Sequence, residues 1–312
     1  MNNGASFTPS IQLMSADQSE AIAKLGVLAF TEYGEPRGWN PSPRTQQNIL
    51  ACLNLNPTGC FVTTVEELVG FIFSRRWGKV GWIGTFGVHP DFQGQNIGQS
   101  LLDAARIHLE GAGCTTIGLE TMPDSPYNVG MYTRQGFHPM FPTLLLGKKT
   151  TLQPQSTPYM LLSQLHKEEA LAAVTRVRQA AWSGLDYAPE AKNADEYKWG
   201  ETLLFGWPQP WAFAILRTAP KLEGLLEPIC DVSALVTHPL RRHQFPQILQ
   251  AVESFALSWN VSQVSLPINA ADWPVLQQAL EYGFRVLHVM LRMFFKQKRL
   301  HPAGIDLSRW AM

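Results

Sequence analysis

Laid against itself with a shift of about 150 residues, the 312-residue chain repeats, and a chain that repeats at this length folds as two copies of one unit. "IQLMSADQSEAIAKLGVLAF" from Ile11 and "YMLLSQLHKEEALAAVTRVRQAAW" from Tyr159 share a pattern: a short apolar strand, a serine (Ser15 or Ser163), then an amphipathic helix. "VGWIGTFGVHP" ending at Pro90 matches "ICDVSALVTHP" ending at Pro239, each a strand that stops where proline ends the ladder. Helical spacing follows in both, through Leu101, Leu102, Ala105 and Leu109, and through Ile248, Leu249, Val252, Phe255, Ala256 and Trp259. An alternating strand comes next, and each half then reaches a Gly-Phe pair, Gly136-Phe137 and Gly283-Phe284. The shared position of His89 and His238 before proline reads as a structural turn.

The repeat divides the chain into residues 1–150 and 151–312, each of ordinary domain length. The polar stretch "GKKTTLQPQSTP", residues 147–158, is the expected connection. A hydrophobic fraction of 45% with 16% charged residues suits two packed cores. Twenty-five basic residues balance 25 acidic ones, so no overall field favours nucleic acid. Cys52, Cys60, Cys114 and Cys230 form no CxxC pair and lack histidines at zinc-ligand spacing, so reduced thiols and no metal are expected. The beginning "MNNGASFTPS" lacks the features of a signal peptide, and no apolar run reaches the roughly 18 residues of a spanning helix. The expectation is a cytoplasmic protein without a membrane partner; homo-oligomerisation is left open.

Chemistry concentrates in "VHPDFQGQNIGQSLL", residues 88–102. A strand ends at Pro90, a turn holds Gly94 and Gly98, and a helix is expected from Ile97. Helix N-termini present unpaired N–H groups and a partial positive charge, and glycine lets an anion approach the backbone. A turn without lysine must hold its anion by main-chain donors, which suits a diphosphate within a larger cofactor.

This region resembles the coenzyme A signature of the GNAT N-acetyltransferase superfamily: Gln93, Asn96 and Gly98 stand at its three defined positions, Asn96 being a departure from the pattern. The resemblance implies that the N–H groups of Gly94, Gln95, Asn96, Ile97, Gly98 and Gln99, with Gln93, bind the pyrophosphate of acetyl-CoA. It also implies that Phe86, Gly87 and Val88 run along the pantetheine arm. "SPYNVGMYTRQGFHPM" resembles the family's next element, with Tyr132 four residues before Gly136, at the position of the tyrosine that protonates the departing thiolate. The implied fold is α/β (α+β): two GNAT-like domains, each a mixed, mostly antiparallel sheet with helices on both faces.

The base is less defined, because "WIGTFGV" carries no carboxylate. Glu120, closing "TTIGLET", is expected near the point where the central strands separate and is the candidate, directly or through water. Asp124, Glu32 and Glu35 are rivals; Glu32, Tyr33 and Asp124 are expected to contact the substrate. Arg134 and Lys79 read as solvated surface, with contact to the nucleotide end of the cofactor as the alternative. The expected activity is acetyl transfer from acetyl-CoA to an amine in a ternary complex, catalysed by residues 1–150. The alternative is a non-catalytic acyl-CoA sensor or interaction protein.

The second half has lost the turn, reading "RHQFPQ" at residues 242–247, where Pro246 deletes an N–H donor, and Ala279 stands at the tyrosine position. Arg241 and Arg242 remain as an anion site or as solvated surface. Trp182, Trp199, Trp207 and Trp211, with Tyr187 and Tyr197, are expected to fill an interface within the molecule or to wall the substrate pocket. The tail after Phe295 shows no periodicity.

Overall fold

The computed structural model describes residues 10–35, 44–151, 157–182, 184–218, 229–296 and 303–308. The first half runs β1 (Ile11–Leu13), α1 (Ser19–Gly34), α2 (Gln46–Leu55), β2 (Cys60–Thr64), β3 (Leu68–Trp77), β4 (Val80–Val88), α3 (Ile97–Gly111), β5 (Thr116–Thr121), α4 (Pro126–Arg134), β6 (Phe137–Pro139) and β7 (Thr143–Lys149). The second repeats this order as β8 (Met160–Leu161), α5 (Lys167–Ala181), α6 (Ala188–Glu196), β9 (Gly200–Phe205), β10 (Ala212–Arg217), β11 (Cys230–Thr237), α7 (Phe245–Ser258), β12 (Gln263–Asn269), α8 (Trp273–Glu281) and β13 (Arg285–Phe295). A last strand, β14 (Asp306–Ser308), has no counterpart in the first half.

The repeat extends to local geometry. His89 Nδ1 accepts the Asp91 N–H, and His238 Nδ1 accepts the Leu240 N–H, both at 3.3 Å. Each histidine thus caps the turn after its strand, as its position suggested. Gly136 and Gly283 both take left-handed backbone, φ 85° and 107°, which ends the preceding helix and turns the chain into a strand.

Each half is a mixed, mostly antiparallel sheet with helices on both faces. Strand alternation explains the layering. In β10, Ala212, Ala214 and Leu216 face the cluster built with α7 and α8, while Phe213 and Ile215 face that built with α5 and α6. In β3, Phe71 and Phe73 pack with α1 and α2, while Ile72 packs with α3. The parallel pairs are β4 with β5 and β11 with β12.

The halves exchange strands. The sheet order is β1-β2-β3-β4-β5-β13-β7-β12-β11-β10-β9-β8. The first half's last strand, β7, lies in the second half's sheet with Thr143–Lys149 along Asn269–Gln263 of β12. In return, the end of β13 enters the first half, pairing Leu291–Phe294 with Thr121–Gly118 and Met293–Phe295 with Pro139–Phe137. The expected connecting stretch therefore begins inside the sheet: Gly147–Lys149 close β7, and Lys148 is paired with Glu253 of α7. Residues 152–156 of that stretch lie outside the described residues.

The junction packs apolar side chains around an ionic hub. Trp77, Val80, Trp82 and Phe294 pack with Val174, Val177, Tyr187, Ala191 and Phe213, and Trp182 and Trp207 lie against this cluster. Inside it Glu190 accepts from Arg75 Nη1 at 3.0 Å, Trp77 Nε1 at 2.9 Å and Arg217 Nη2 at 3.3 Å. Burial alone would raise its carboxyl, but Arg75 and Arg217 hold it below its ordinary value. Trp199 instead stacks on Tyr197 and lies under Arg217, and Trp211 packs on Phe205. All four cysteines are buried and free; burial pushes the Cys60 thiol up to about 12 and that of Cys114 to about 11.

Candidate active site

Strands β4 and β5 pair in parallel only from Val80–Ile83 to Thr116–Leu119, after which they part. Beyond that point β4 keeps β3 on its other side but turns an edge toward the gap. Its register with β3 passes from Phe73–Gly84 to Ile72–Phe86, so Thr85 is an extra residue, a bulge with φ 37°. A bulge bends the strand and opens the gap further. The result is a cleft of about 760 Å³, floored by Gly84–Val88.

The second wall is the start of α3. Gly94 (φ 78°) and Asn96 (φ 63°, ψ 5°) both adopt left-handed backbone, and Asn96 is the N-cap. Asparagine tolerates this conformation better than other non-glycine residues, which accounts for its place in the motif. The first helical bond runs from Ser100 N–H to Asn96 O at 3.0 Å. The N–H groups of Ile97, Gly98 and Gln99 therefore precede the helical ladder, at the positive end of a 15-residue helix. Gly98 permits close packing on β4, for a methyl there would meet Phe86 Cζ at 3.0 Å. Gln93, also on the cleft, donates from Nε2 to Glu32 Oε2 at 3.4 Å.

Tyr132 and Glu120 close the far side. Ser125 caps α4 by accepting the Asn128 N–H at 3.4 Å, and the helix carries Tyr132, 8% exposed, edge-on to Phe137. Burial raises the Tyr132 phenol above its ordinary value of 10, so it keeps its proton throughout neutral pH. Glu120 stands one residue beyond the last β4–β5 pair. Its carboxylate receives Arg292 of β13, with Nε at 2.9 Å and Nη2 at 2.8 Å from Oε1.

A cleft between two diverging parallel strands, flanked by a helix N-terminus and a buried phenol, suits a thioester cofactor with an anionic end. Comparison with known proteins agrees. The model of the Acetyltransferase (GNAT) family matches residues 25–137. An acetyltransferase of Sodalis glossinidius is 32% identical over 114 residues, covering 36% of this chain and 78% of that protein. The chain belongs to the GNAT acetyltransferase family. A mycothiol acetyltransferase of Propionibacterium freudenreichii is 36% identical over 131 residues, 39% of this chain and 40% of that protein. Among solved structures, a tandem GNAT protein from the clavulanic acid biosynthesis pathway superposes with a TM-score of 0.60 at 14% identity, covering 96% of this chain and 99% of that one. At that identity the likeness concerns the fold.

This GNAT acetyltransferase thus brings Phe86, Gly87, Val88, Gln93, Gly94, Asn96, Ile97, Gly98, Gln99, Glu120, Tyr132 and Glu32 onto one cleft. Three expected residues stand apart from it, the first being the rival base Glu35, exposed at the C-cap of α1. The Gln95 side chain folds back, its amide donating to the Asp91 carbonyl at 3.4 Å. Asp124 is exposed at the tip of the turn after β5, whereas its neighbours Met122 and Ser125 line the cleft. Tyr33 falls in α1, but its side chain lies outside the described residues, as do residues 36–43 of the segment that follows. Arg134, read as surface or as a contact to the cofactor's nucleotide end, lines the cleft, as do Arg44, Thr85, Trp82 and Met290. The Thr85 bulge has no signature in "WIGTFGV", and Met290 comes from the exchanged strand. None of Trp182, Trp199, Trp207 and Trp211 lines the cleft.

The second half closes the equivalent gap with its own chain. Its parallel strands β11 and β12 pair only at Cys230–Val264 and Asp231–Ser265. Past that point β14 lies along β11, with Ala234, Leu235 and Val236 opposite Ser308, Leu307 and Asp306. Ile305 and Leu307 are buried. Arg242, one of the two candidate anion ligands, donates to the Gly304 carbonyl at 2.6 Å and clamps Asp272 at 2.7 and 2.9 Å. Residues 305–308 of the tail that showed no periodicity fill this second gap.

Among the described residues no group of three or more His, Cys, Asp or Glu side chains is placed to hold a metal ion, and no helix is long and apolar enough to cross a membrane.

Proposed function

We propose that this acetyltransferase moves an acetyl group from acetyl-CoA to an amine by direct transfer in a ternary complex, with residues 1–150 carrying the chemistry and residues 151–312 forming a degenerate second unit. The observation that carries the reading is the convergence on one cleft of the α3 N-terminus, the open edge of β4 and the Tyr132 phenol. The main-chain donors of Gly94 and Ile97–Gln99 suit a pyrophosphate, and Arg134 of α4 adds a cation to the lining of the same cleft. The edge of Phe86–Val88 suits an amide-bearing arm, pairing with it as a further strand would.

Acetyl-CoA supplies an activated acyl group as a thioester. In this reading Glu120 takes the proton of the incoming ammonium, directly or through water, so that the neutral amine attacks. A backbone N–H of the Thr85–Val88 segment steadies the oxygen on which negative charge develops. Tyr132, kept protonated by burial, donates to the departing sulfur. Buried free thiols fit a reducing compartment, and we place the protein in the cytoplasm.

One observation favours a second reading, an acyl-CoA sensor without turnover: the Glu120 carboxylate is already engaged by Arg292. Calorimetric titration with acetyl-CoA, joined to an assay of CoA release with spermidine, lysine, an aminoglycoside and an alanine-initiated peptide, separates them. Turnover with any amine establishes the transferase. Binding without turnover leaves the sensor, and no binding removes both.

A further inference from the structure

The strand exchange gives the second half a place in the first half's chemistry. We propose that Arg292 is a positioning residue for Glu120: strand β13 delivers it beside Glu120, where it orients the carboxylate for proton abstraction. The proposal rests on the reading of Glu120 as the base.

Three observations carry it. First, the register places Arg292 directly opposite Glu120 across the β13–β5 ladder, and both side chains are buried, at 10% and 5% exposure. Secondly, Nε and Nη2 both engage Oε1, which leaves Oε2 outside the fork on a residue that lines the cleft. A carboxylate held by one oxygen has its plane and reach set by the guanidinium, while the other oxygen can accept a proton. Thirdly, Arg292 is itself held from other sides. Its guanidinium lies 5.4 Å from the Trp82 ring centroid, and Nη2 donates to the Ser308 carbonyl at 3.2 Å. Ser308 belongs to β14, the strand that fills the second half's gap. The eroded unit thus supplies the arginine and, through its tail, the acceptor that locks it.

The test is a double-mutant cycle on Glu120→Gln and Arg292→Gln, with Arg292→Lys beside it, measured as kcat and KM with acetyl-CoA and the amine of fastest turnover. Loss of a general base lowers kcat by roughly 10²–10⁴-fold, so E120Q is expected in that range. R292Q is expected to lower kcat by about tenfold or more with KM for acetyl-CoA nearly constant, and R292K to recover part of that loss, since lysine keeps the charge without the planar fork. In the E120Q background, R292Q is expected to add nothing, because residues that act through one another do not add. Should R292Q alone fail to fold, E120Q/R292Q, which removes both charges of this pair, decides the matter. A kcat equal to that of E120Q supports the proposal, and a further tenfold loss overturns it. An unimpaired R292Q beside an impaired E120Q removes Arg292 alone, whereas an unimpaired E120Q, or no turnover with any amine, removes the base reading and the proposal with it.

Discussion

The Phe86 ring lies beneath Gly98, so close that a methyl group on the glycine would come within 3.0 Å of its Cζ atom. Phe86 belongs to the floor of the cleft and Gly98 to its helical wall, so this contact sets how tightly the two meet. Gly98→Ala must push the ring or lift the helix, and it adds bulk beside the N–H groups that face the cleft. Alanine is also the better helix former, by about 1 kcal/mol, which offsets the crowding. The expected outcome is a Tm changed by only a few degrees and a Kd for acetyl-CoA raised about tenfold by calorimetry, an affinity loss of ~1.4 kcal/mol.

Asn96 offers a backbone test of the same turn. Its φ of 63° is one that glycine adopts freely and a β-branched residue resists. Asn96→Gly is expected to keep stability within about 1 kcal/mol and to keep acetyl-CoA affinity, whereas Asn96→Val should cost roughly 1–2 kcal/mol in urea unfolding and weaken binding. Equal behaviour of the two variants would deny that the left-handed cap matters.

For Tyr132 the expected signature is kinetic. Tyr132→Phe keeps the ring against Phe137 and removes the proton donor, so kcat should fall about 10²-fold or more while KM for acetyl-CoA stays near its wild-type value. Because burial raises the phenol above 10, the acid form persists below that pH. The kcat profile should show no descending limb from this group below about pH 10.

The Glu190 hub predicts an acid-sensitive junction. The carboxyl is lowered in the fold from 4.5, so its stabilisation is complete above that unfolded value and fades as pH falls through the lower folded one. Glu190→Gln leaves Arg75 and Arg217 without their counter-charge, and removal of one partner from a buried pair costs about 3–5 kcal/mol. Urea midpoints near neutral pH should fall accordingly, and the gap to wild type should narrow below pH 4.5.

Asp306 behaves oppositely. Burial raises its carboxyl from 3.8 to about 6, against the pull of the Tyr187 hydroxyl and Arg292, and its Oδ2 is buried without a hydrogen-bond partner. Its contribution favours the fold below 3.8 and is lost as pH rises through about 6. Asp306→Asn, which can still accept from Tyr187, should therefore stabilise the protein at pH 8 by a sum on the order of 2 kcal/mol. The gain should shrink on going to pH 5; a variant less stable than wild type at pH 8 would contradict the assignment.

What the sequence determined by itself is local. The repeat, the order of elements, the helix beginning at Ile97 and the His-Pro turns all follow from period, capping and backbone chemistry within a few residues, and each is found where the pattern put it. The convergence of Gly98, Phe86 and Tyr132 was legible through a resemblance whose motifs lie within residues 86–137, on β4, α3 and α4. Tertiary structure alone decided which strands pair. Backbone hydrogen bonding does not by itself name a partner for β7 or the end of β13; the choice lies in packing between residues more than a hundred positions apart, such as Trp82 against Phe294. That choice brings Arg292 to Glu120 across 172 residues, and it leaves β11 an open edge that Asp306–Ser308 covers. A sequence pattern records which face of a strand is apolar, but the partner that covers its edge is selected only when the whole chain has closed.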